Sequence, residues 1–295
     1  MNYKRGIWPV IAVLPVTVLF LIFSIIPSVM NIYFSFTDFY GNMNLKISWV
    51  GFYNYTRAFS SVSNEVWGAI RNTLVFSFSI TIVMNIIALL ISVLVNMKLS
   101  IRDFYRSVIF LPTILGPVVI GLIWTLIFDP YSGPVNKVLN LLGTDSALLG
   151  DAKIALFLVV FVMIWANYGY TMVLYLAGLQ KIPADLYEAG HIDGASGFKK
   201  LWYITLPLIR PVVTINVLIA IIGTLKQYDL IVILTNGGPG RSTSTLAMYI
   251  FTLLTKPGSG ETQGYVAALS IILFVVVLFF VAISQYFLRR REEEI

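Results

Sequence analysis

The chain has 295 residues, of which 58% are apolar and only 12% charged, where a soluble domain carries about a quarter charged residues. Its mean hydropathy is +0.86. That leaves too few charges to coat a soluble surface of this size, which excludes an ordinary cytosolic enzyme and a disordered chain alike. There is no cysteine, and His191 is the one histidine, so disulfides, thiolate metal sites and a cysteine nucleophile are excluded and little is left for zinc or a catalytic triad.

A helix that crosses a bilayer needs about 20 mostly apolar residues. Six stretches meet that need, at 7–36, 69–95, 105–128, 154–178, 208–234 and 265–288. Barrel strands would read as short alternating segments. These runs are long and continuous, and they predict an all-α membrane protein with six transmembrane helices. The first run follows Lys4 and Arg5, as a secretory signal does, but it is too long and no small-residue cleavage pattern closes it. It is expected to be a retained anchor helix, kinked at Pro9, Pro15 and Pro27. With the outer loop behind it, it makes an N-terminal region over 1–68. Asn54-Tyr55-Thr56 in that loop matches a glycosylation sequon by chance.

The core is expected over 69–288. In the third span Thr113 lies between Pro112 and Pro117, where a break would expose backbone groups. The fourth carries Trp165, Asn167, Tyr168 and Tyr170. At about 1.5 Å per residue, Asn167 lies roughly 21 Å in from Lys153, near mid-membrane. With the N-terminus inside, the inner segments hold twelve of the 20 basic residues, among them Lys98, Arg102, Arg106, Lys181, Lys199 and Lys200. Lysine and arginine set orientation, so both termini are expected to be cytoplasmic. The net charge of +6 is accounted for by this topology and calls for no nucleic-acid partner.

The inner loop over 180–210 is long and not a polar linker. Ile182, Leu186 and Ala189 recur at helical spacing, Pro183 suits a first turn, and Asp185 and Glu188 precede His191 as the helix dipole prefers. Gly190, Gly194 and Gly197 permit a tight turn, a second short helix is expected near 198–203, and Leu206-Pro207 ends it and opens the next span. Exposed apolar residues on such a unit should not sit bare in water. It is either a docking element for a soluble partner or a helix pair lying on the lipid.

In the fifth span Asn216, Ala220, Thr224 and Gln227 share one face. Polar side chains in a span are costly unless they face a cavity or each other. Asn and Thr also bond neighbouring helices, for about 0.6 kcal/mol each, and Tyr and Trp also sit in the interfacial belt. Lys226 and Asp229, three apart, are expected to pair or to form an outer rim. Asn236-Gly237-Gly238-Pro239 reads as an outer turn. The apolar run 246–254 is too short to span and reads as a re-entrant or interfacial helix. The tail 289–295, three arginines and three glutamates before a final isoleucine, reads as an orientation anchor and a solvated end.

The run Glu188-Ala189-Gly190-His191-Ile192-Asp193-Gly194-Ala195, followed by Ile204-Thr205-Leu206-Pro207, resembles the signature loop of ATP-binding-cassette importer permeases. Gly190 stands where a second alanine is usual. Ile182-Pro183-Ala184-Asp185-Leu186-Tyr187 before it and Leu234-Thr235 before the outer turn narrow the resemblance to the maltose-type first permease of the sugar-uptake branch. It covers about 104–288. It implies a type I importer permease fold in a bacterial cytoplasmic membrane, and a non-catalytic subunit. The implied partners are a second homologous permease, a cytoplasmic ATPase dimer that binds ATP and Mg, and an extracytoplasmic solute-binding protein, for which loop 38–71 offers extra surface. It places ATPase coupling on Glu188, Ala189, Gly190, Asp193, Gly194, Ile204, Leu206 and Pro207, with Glu188 and Gly194 helping to hold the docked shape. Solute contacts are placed in spans three to five, where Thr113, Asn167, Tyr170, Thr224 and Gln227 offer the hydrogen bonds and flat apolar faces that a sugar needs. Only Lys226 is remotely placed for a phosphorylated solute, which favours neutral sugars. No Gly-x-x-x-x-Gly-Lys-Ser/Thr loop is present to cradle ATP in this chain. The competing readings are a self-sufficient channel or carrier, which would need intramembrane ionisable residues or inverted repeats, and a membrane enzyme, for which paired carboxylates are missing from the spans.

Overall fold

The computed structural model describes residues 8–42, 44, 46–60, 64–97, 102–144, 146–255 and 262–290. Lys4, Arg5 and Lys98 and the tail from Arg291 onward lie outside the described residues. Those described are helical or irregular, apart from one antiparallel bridge between Thr37 and Trp49. Four helices are long and apolar enough to cross a membrane, and two bent pairs bring the number of candidate spans to as many as six. The chain divides into two units, Met1–Asn64 with Thr252–Ile272, and Glu65–Phe251 with Leu273–Ile295.

In the first unit α1 (Trp8–Phe20) and α2 (Ile26–Ser35) run on through a π-helical turn, Leu21–Ile25. Pro27 lacks the N–H that a regular helix would need there, and a wider turn just ahead of it is the usual accommodation. The hydropathy window of this helix has no buried residue within the chain. Beyond it Asn54, on α3 (Tyr53–Phe59), is 3% exposed and donates through Nδ2 to Ser35 O and Thr37 O, each at 2.9 Å. The sequon asparagine is thus an internal strut. Ser35 Oγ and Tyr55 Oη lie 2.7 Å apart beside it.

The second unit is built around α8 (Ala155–Leu179), flanked by α4 (Asn64–Asn96), α5 (Arg102–Ile114) and α6 (Pro117–Ile127). A short α7 (Pro134–Leu141) precedes α8. The inner loop forms α9 (Ala184–Ile192), α10 (Gly197–Lys200) and α11 (Leu206–Leu208), and leads into α12 (Arg210–Leu225) and α13 (Asp229–Thr235). Then come α14 (Leu246–Thr255) and α15 (Gln263–Arg290). One core cluster joins Phe76, Ile80, Val159, Val160, Trp124 and Ile231, and a second joins Ala88, Met172, Tyr175, Leu179 and Ile209. Small residues let neighbouring helices approach closely. At Gly169 of α8 a Cβ would lie 2.4 Å from the Ile109 carbonyl oxygen of α5, so only glycine permits that approach.

Two expected spans are not continuous helices. The third bends by 96° between α5 and α6. Gly116 is extended there, with φ −68° and ψ 153°, and Pro117 opens α6. The fifth is interrupted at Lys226–Tyr228, between α12 and α13. Irregular backbone at this depth must be satisfied by protein; here Thr245 Oγ1 donates to Gln227 O at 3.3 Å, and Gln227 N–H to Thr224 O at 3.2 Å. The second loop helix also differs from expectation. α10 passes through a π turn, Leu201–Thr205, into α11, and the chain bends by 76° at Ile209 rather than at Leu206-Pro207. Pro211 explains the position: its ring would clash with the carbonyl four residues back and it brings no N–H, so the helix breaks just ahead of it.

Candidate functional site: a cavity at two broken spans and the loop 180–210

The break in the third span and the break in the fifth meet against α8. Between them lies a cavity of about 210 Å³, lined by Thr113, Leu115 and Pro117 from the first break, Met163, Ala166 and Asn167 from α8, and Gln227, Asp229 and Leu230 from the second. Of the five residues expected to touch solute, Thr113, Asn167 and Gln227 are brought together here. Thr113 Oγ1 is buried with no hydrogen-bond partner. Asn167 Nδ2 donates to Met163 O at 2.9 Å, one turn back.

The other two expected contacts lie elsewhere. Tyr170 is 44% exposed and does not line the cavity. Thr224 is 3% exposed, and its Oγ1 lies 2.7 Å from Ser77 Oγ, which ties α12 to α4. Asn216 is likewise buried in the helix seam, beside Tyr175, whose hydroxyl donates to Asn85 Oδ1 at 2.7 Å. Asp229 was expected to pair with Lys226 or stand on the rim with it. Instead its carboxylate accepts from Gln227 Nε2 and from the Leu230 N–H and faces the cavity, with no ion pair to Lys226. The helix restart after Tyr228 turns it inward, and the sequence carried no signal for that restart.

The N-terminal ends of α4 and α14 are joined by a network that the sequence did not reveal. Glu65 forms an ion pair with Arg241 and accepts from the Tyr249 hydroxyl at 3.0 Å. Asn72 Nδ2 donates to Arg241 O and Ser244 O, and the Leu246 N–H donates to Thr73 Oγ1 at 2.8 Å. The 246–254 segment is a helix whose first five residues are buried.

In the inner loop α9 ends at Asp193, and Gly194 takes φ +73°, a conformation that costs most residues roughly 1–2 kcal/mol. Ala195 N–H then closes back on Gly190 O at 2.8 Å. Ser196 caps α10 by accepting from Lys199 N–H. At Gly190 a Cβ would meet Ile204 Cδ1 at 2.7 Å, the far end of a flexible side chain that can shift. The loop is held together by Tyr187 Oη, 3.0 Å from the Oγ1 of Thr205, itself 4% exposed. Glu188 is exposed and makes no hydrogen bond or ion pair with a described residue. Ile192, Phe198 and Tyr203 stand out bare, while Ile182 and Ile209 at the two roots pack into the same core cluster as Tyr175 and Leu179. Among the described residues no three His, Asp or Glu side chains gather as a metal site.

Long apolar helices, with two bent pairs among the candidate spans, mark this as a membrane protein. The chain belongs to the family described as binding-protein-dependent transport system inner membrane component, whose model matches residues 84–293. It is 29% identical over 99% of its length to a probable starch degradation products transport system permease of Thermoanaerobacterium thermosulfurigenes, covering 97% of that protein. It is 32% identical to the trehalose/maltose transport system permease of Thermococcus litoralis, over 95% of this chain and 93% of that one. In fold it is similar to a chain of the bacterial alginate ABC transporter solved in complex with alginate pentasaccharide-bound periplasmic protein, with TM-score 0.82, 24% identity, and 97% and 96% of the two chains covered. The resemblance carried by the loop and the outer turn is thereby confirmed, and the chain is a multi-pass permease of the cytoplasmic membrane.

Proposed function

We propose that this chain lines half of the path of an ATP-driven carbohydrate importer and takes its motion from a separate ATPase through the loop 180–210. All six apolar runs cross the bilayer, with both termini cytoplasmic, and the subunit performs no chemistry of its own. A second, homologous permease completes the path, a cytoplasmic ATPase dimer binds ATP and Mg and grips the loop around Gly194, and an extracytoplasmic protein delivers the sugar. The carbohydrate reading is supported by what the relatives are named for, starch degradation products and trehalose/maltose. The observation that carries the proposal is the convergence of Thr113, Asn167 and Gln227, from three separate elements, on one cavity. At about 210 Å³ the cavity is smaller than the roughly 300–1,000 Å³ of a pocket that encloses a drug-sized ligand. An oligosaccharide would therefore need walls from a second subunit.

The test is uptake by proteoliposomes that hold the whole complex. Thr113→Ala, Asn167→Ala and Gln227→Ala should each lower uptake about tenfold or more, the loss of about 1.4 kcal/mol of binding, with basal ATP hydrolysis intact. Gly194→Leu should separate hydrolysis from uptake. Solute flux through vesicles holding this chain alone, without ATPase, would overturn the proposal in favour of a self-sufficient carrier.

A further inference from the structure

We infer that the cavity admits solutes that present hydrogen-bond donors and carry no negative charge, and that Asp229 is the residue that sets this selection. The inference rests on the reading that the cavity holds solute, and it adds the class of sugar. It follows from a count of the polar atoms left open. Asn167 Nδ2 has two N–H groups, and they point to Met163 O at 2.9 Å and Met163 Sδ at 3.5 Å. One N–H of Gln227 goes to Asp229, whose Oδ1 also takes the Leu230 N–H at 2.7 Å. Asn167 Oδ1, Gln227 Oε1 and the second carboxylate oxygen of Asp229 take no hydrogen bond from a described residue, and all three belong to residues that line the cavity. All three accept, and one belongs to a charged group. Against them stand the unpartnered Thr113 hydroxyl and one remaining Gln227 N–H.

No Lys, Arg or His is among the described residues that line the cavity. A carboxylate or phosphate on the solute would meet a like charge at short range with no cation to offset it, and like charges at such distances repel strongly away from bulk water. A sugar hydroxyl or amine would instead donate to these oxygens, and Thr113 would gain the partner it lacks. A site built to accept hydrogen bonds rejects a ligand that cannot donate them, because its own groups are then left unpaired.

The experiment uses the complex of this chain with its partner permease and ATPase in lipid nanodiscs, without the delivery protein, so that only the membrane part selects. The probes are maltotriose, cellotriose and mannotriose, and the same trisaccharides oxidised at C6 to uronates, with affinity read by equilibrium dialysis. The neutral form of the sugar that binds should exceed its uronate by about tenfold or more, and Asp229→Asn should narrow that ratio to about threefold or less. Co-purification of the variant with the partner permease and ATPase, at an unchanged thermal midpoint, confirms that it folds. A uronate that binds wild type as tightly as the neutral form, or a ratio that Asp229→Asn leaves unmoved, overturns the inference. A neutral probe that binds but is insensitive to both Thr113→Ala and Asn167→Ala fails a different claim, that solute sits in this cavity, as does an absence of binding by every probe.

Discussion

The Tyr187 hydroxyl lies 3.0 Å from Thr205 Oγ1, across eighteen residues that contain the whole turn of the inner loop. Thr205 is buried where the segment re-enters the bundle, and its Oγ1 also lies 3.3 Å from Lys200 O. This bond joins α9 to the segment that leads into α12, and under the proposed coupling a push on α9 would pass through it to the fifth span. Removing one such bond typically costs about 0.5–1.5 kcal/mol. Tyr187→Phe should leave assembly with the ATPase intact and lower the uptake obtained per ATP hydrolysed. Simultaneous measurement of transport and phosphate release on the same vesicles checks this; an unchanged ratio would remove the bond from the coupling path.

The two glycines of the turn should differ sharply when changed to alanine. Gly194 has φ +73° with nothing near its absent Cβ, so the cost of Gly194→Ala is backbone strain, about 1–2 kcal/mol. At Gly190 the helix geometry suits alanine and the Cβ meets only the far end of Ile204. Gly190→Ala should keep near-native uptake once Ile204 shifts, and Gly194→Ala should lose it. Uptake rates of the two variants, compared at equal membrane expression, decide the matter.

At Gly169 an added methyl collides with backbone instead. It would stand 2.4 Å from Ile109 O and 3.1 Å from Phe110 Cα, neither of which can rotate away. Overpacking of this kind costs about 1–3 kcal/mol. Gly169→Ala should lower the thermal midpoint of the detergent-purified protein by several degrees and spread α5 from α8. A midpoint equal to wild type would mean that the two helices are not in close contact.

The Ser77–Thr224 contact ties α12 to α4 and is expected to serve the bundle and not the solute path. A double-mutant cycle with Ser77→Ala and Thr224→Val should give a coupling energy of about 0.6 kcal/mol in stability, the usual value for such bonds between membrane helices. Transport affinity should stay unchanged in all three variants. A shift in KM on Thr224→Val alone would return Thr224 to the solute contacts.

The sequence by itself determined which stretches are apolar enough to enter lipid, and what family the loop 180–210 and the turn at 236–239 point to. These features are local. Hydropathy needs only a run of about 20 residues, and a turn such as the one at Gly194 needs only the residues that form it. Even the break in the third span was legible, from the placement of Thr113 between Pro112 and Pro117.

Tertiary structure alone decided which polar residues meet. Asn167, Thr224 and Asn216 look alike on their helices, yet one faces a cavity and two were drawn into contacts between helices. What separates them is the 96° bend of the third span and the restart of the fifth at Asp229, which bring three distant segments to one point. Periodicity places a residue on a face, but what that face meets depends on the packing of neighbours far away in the chain, and no local pattern encodes it.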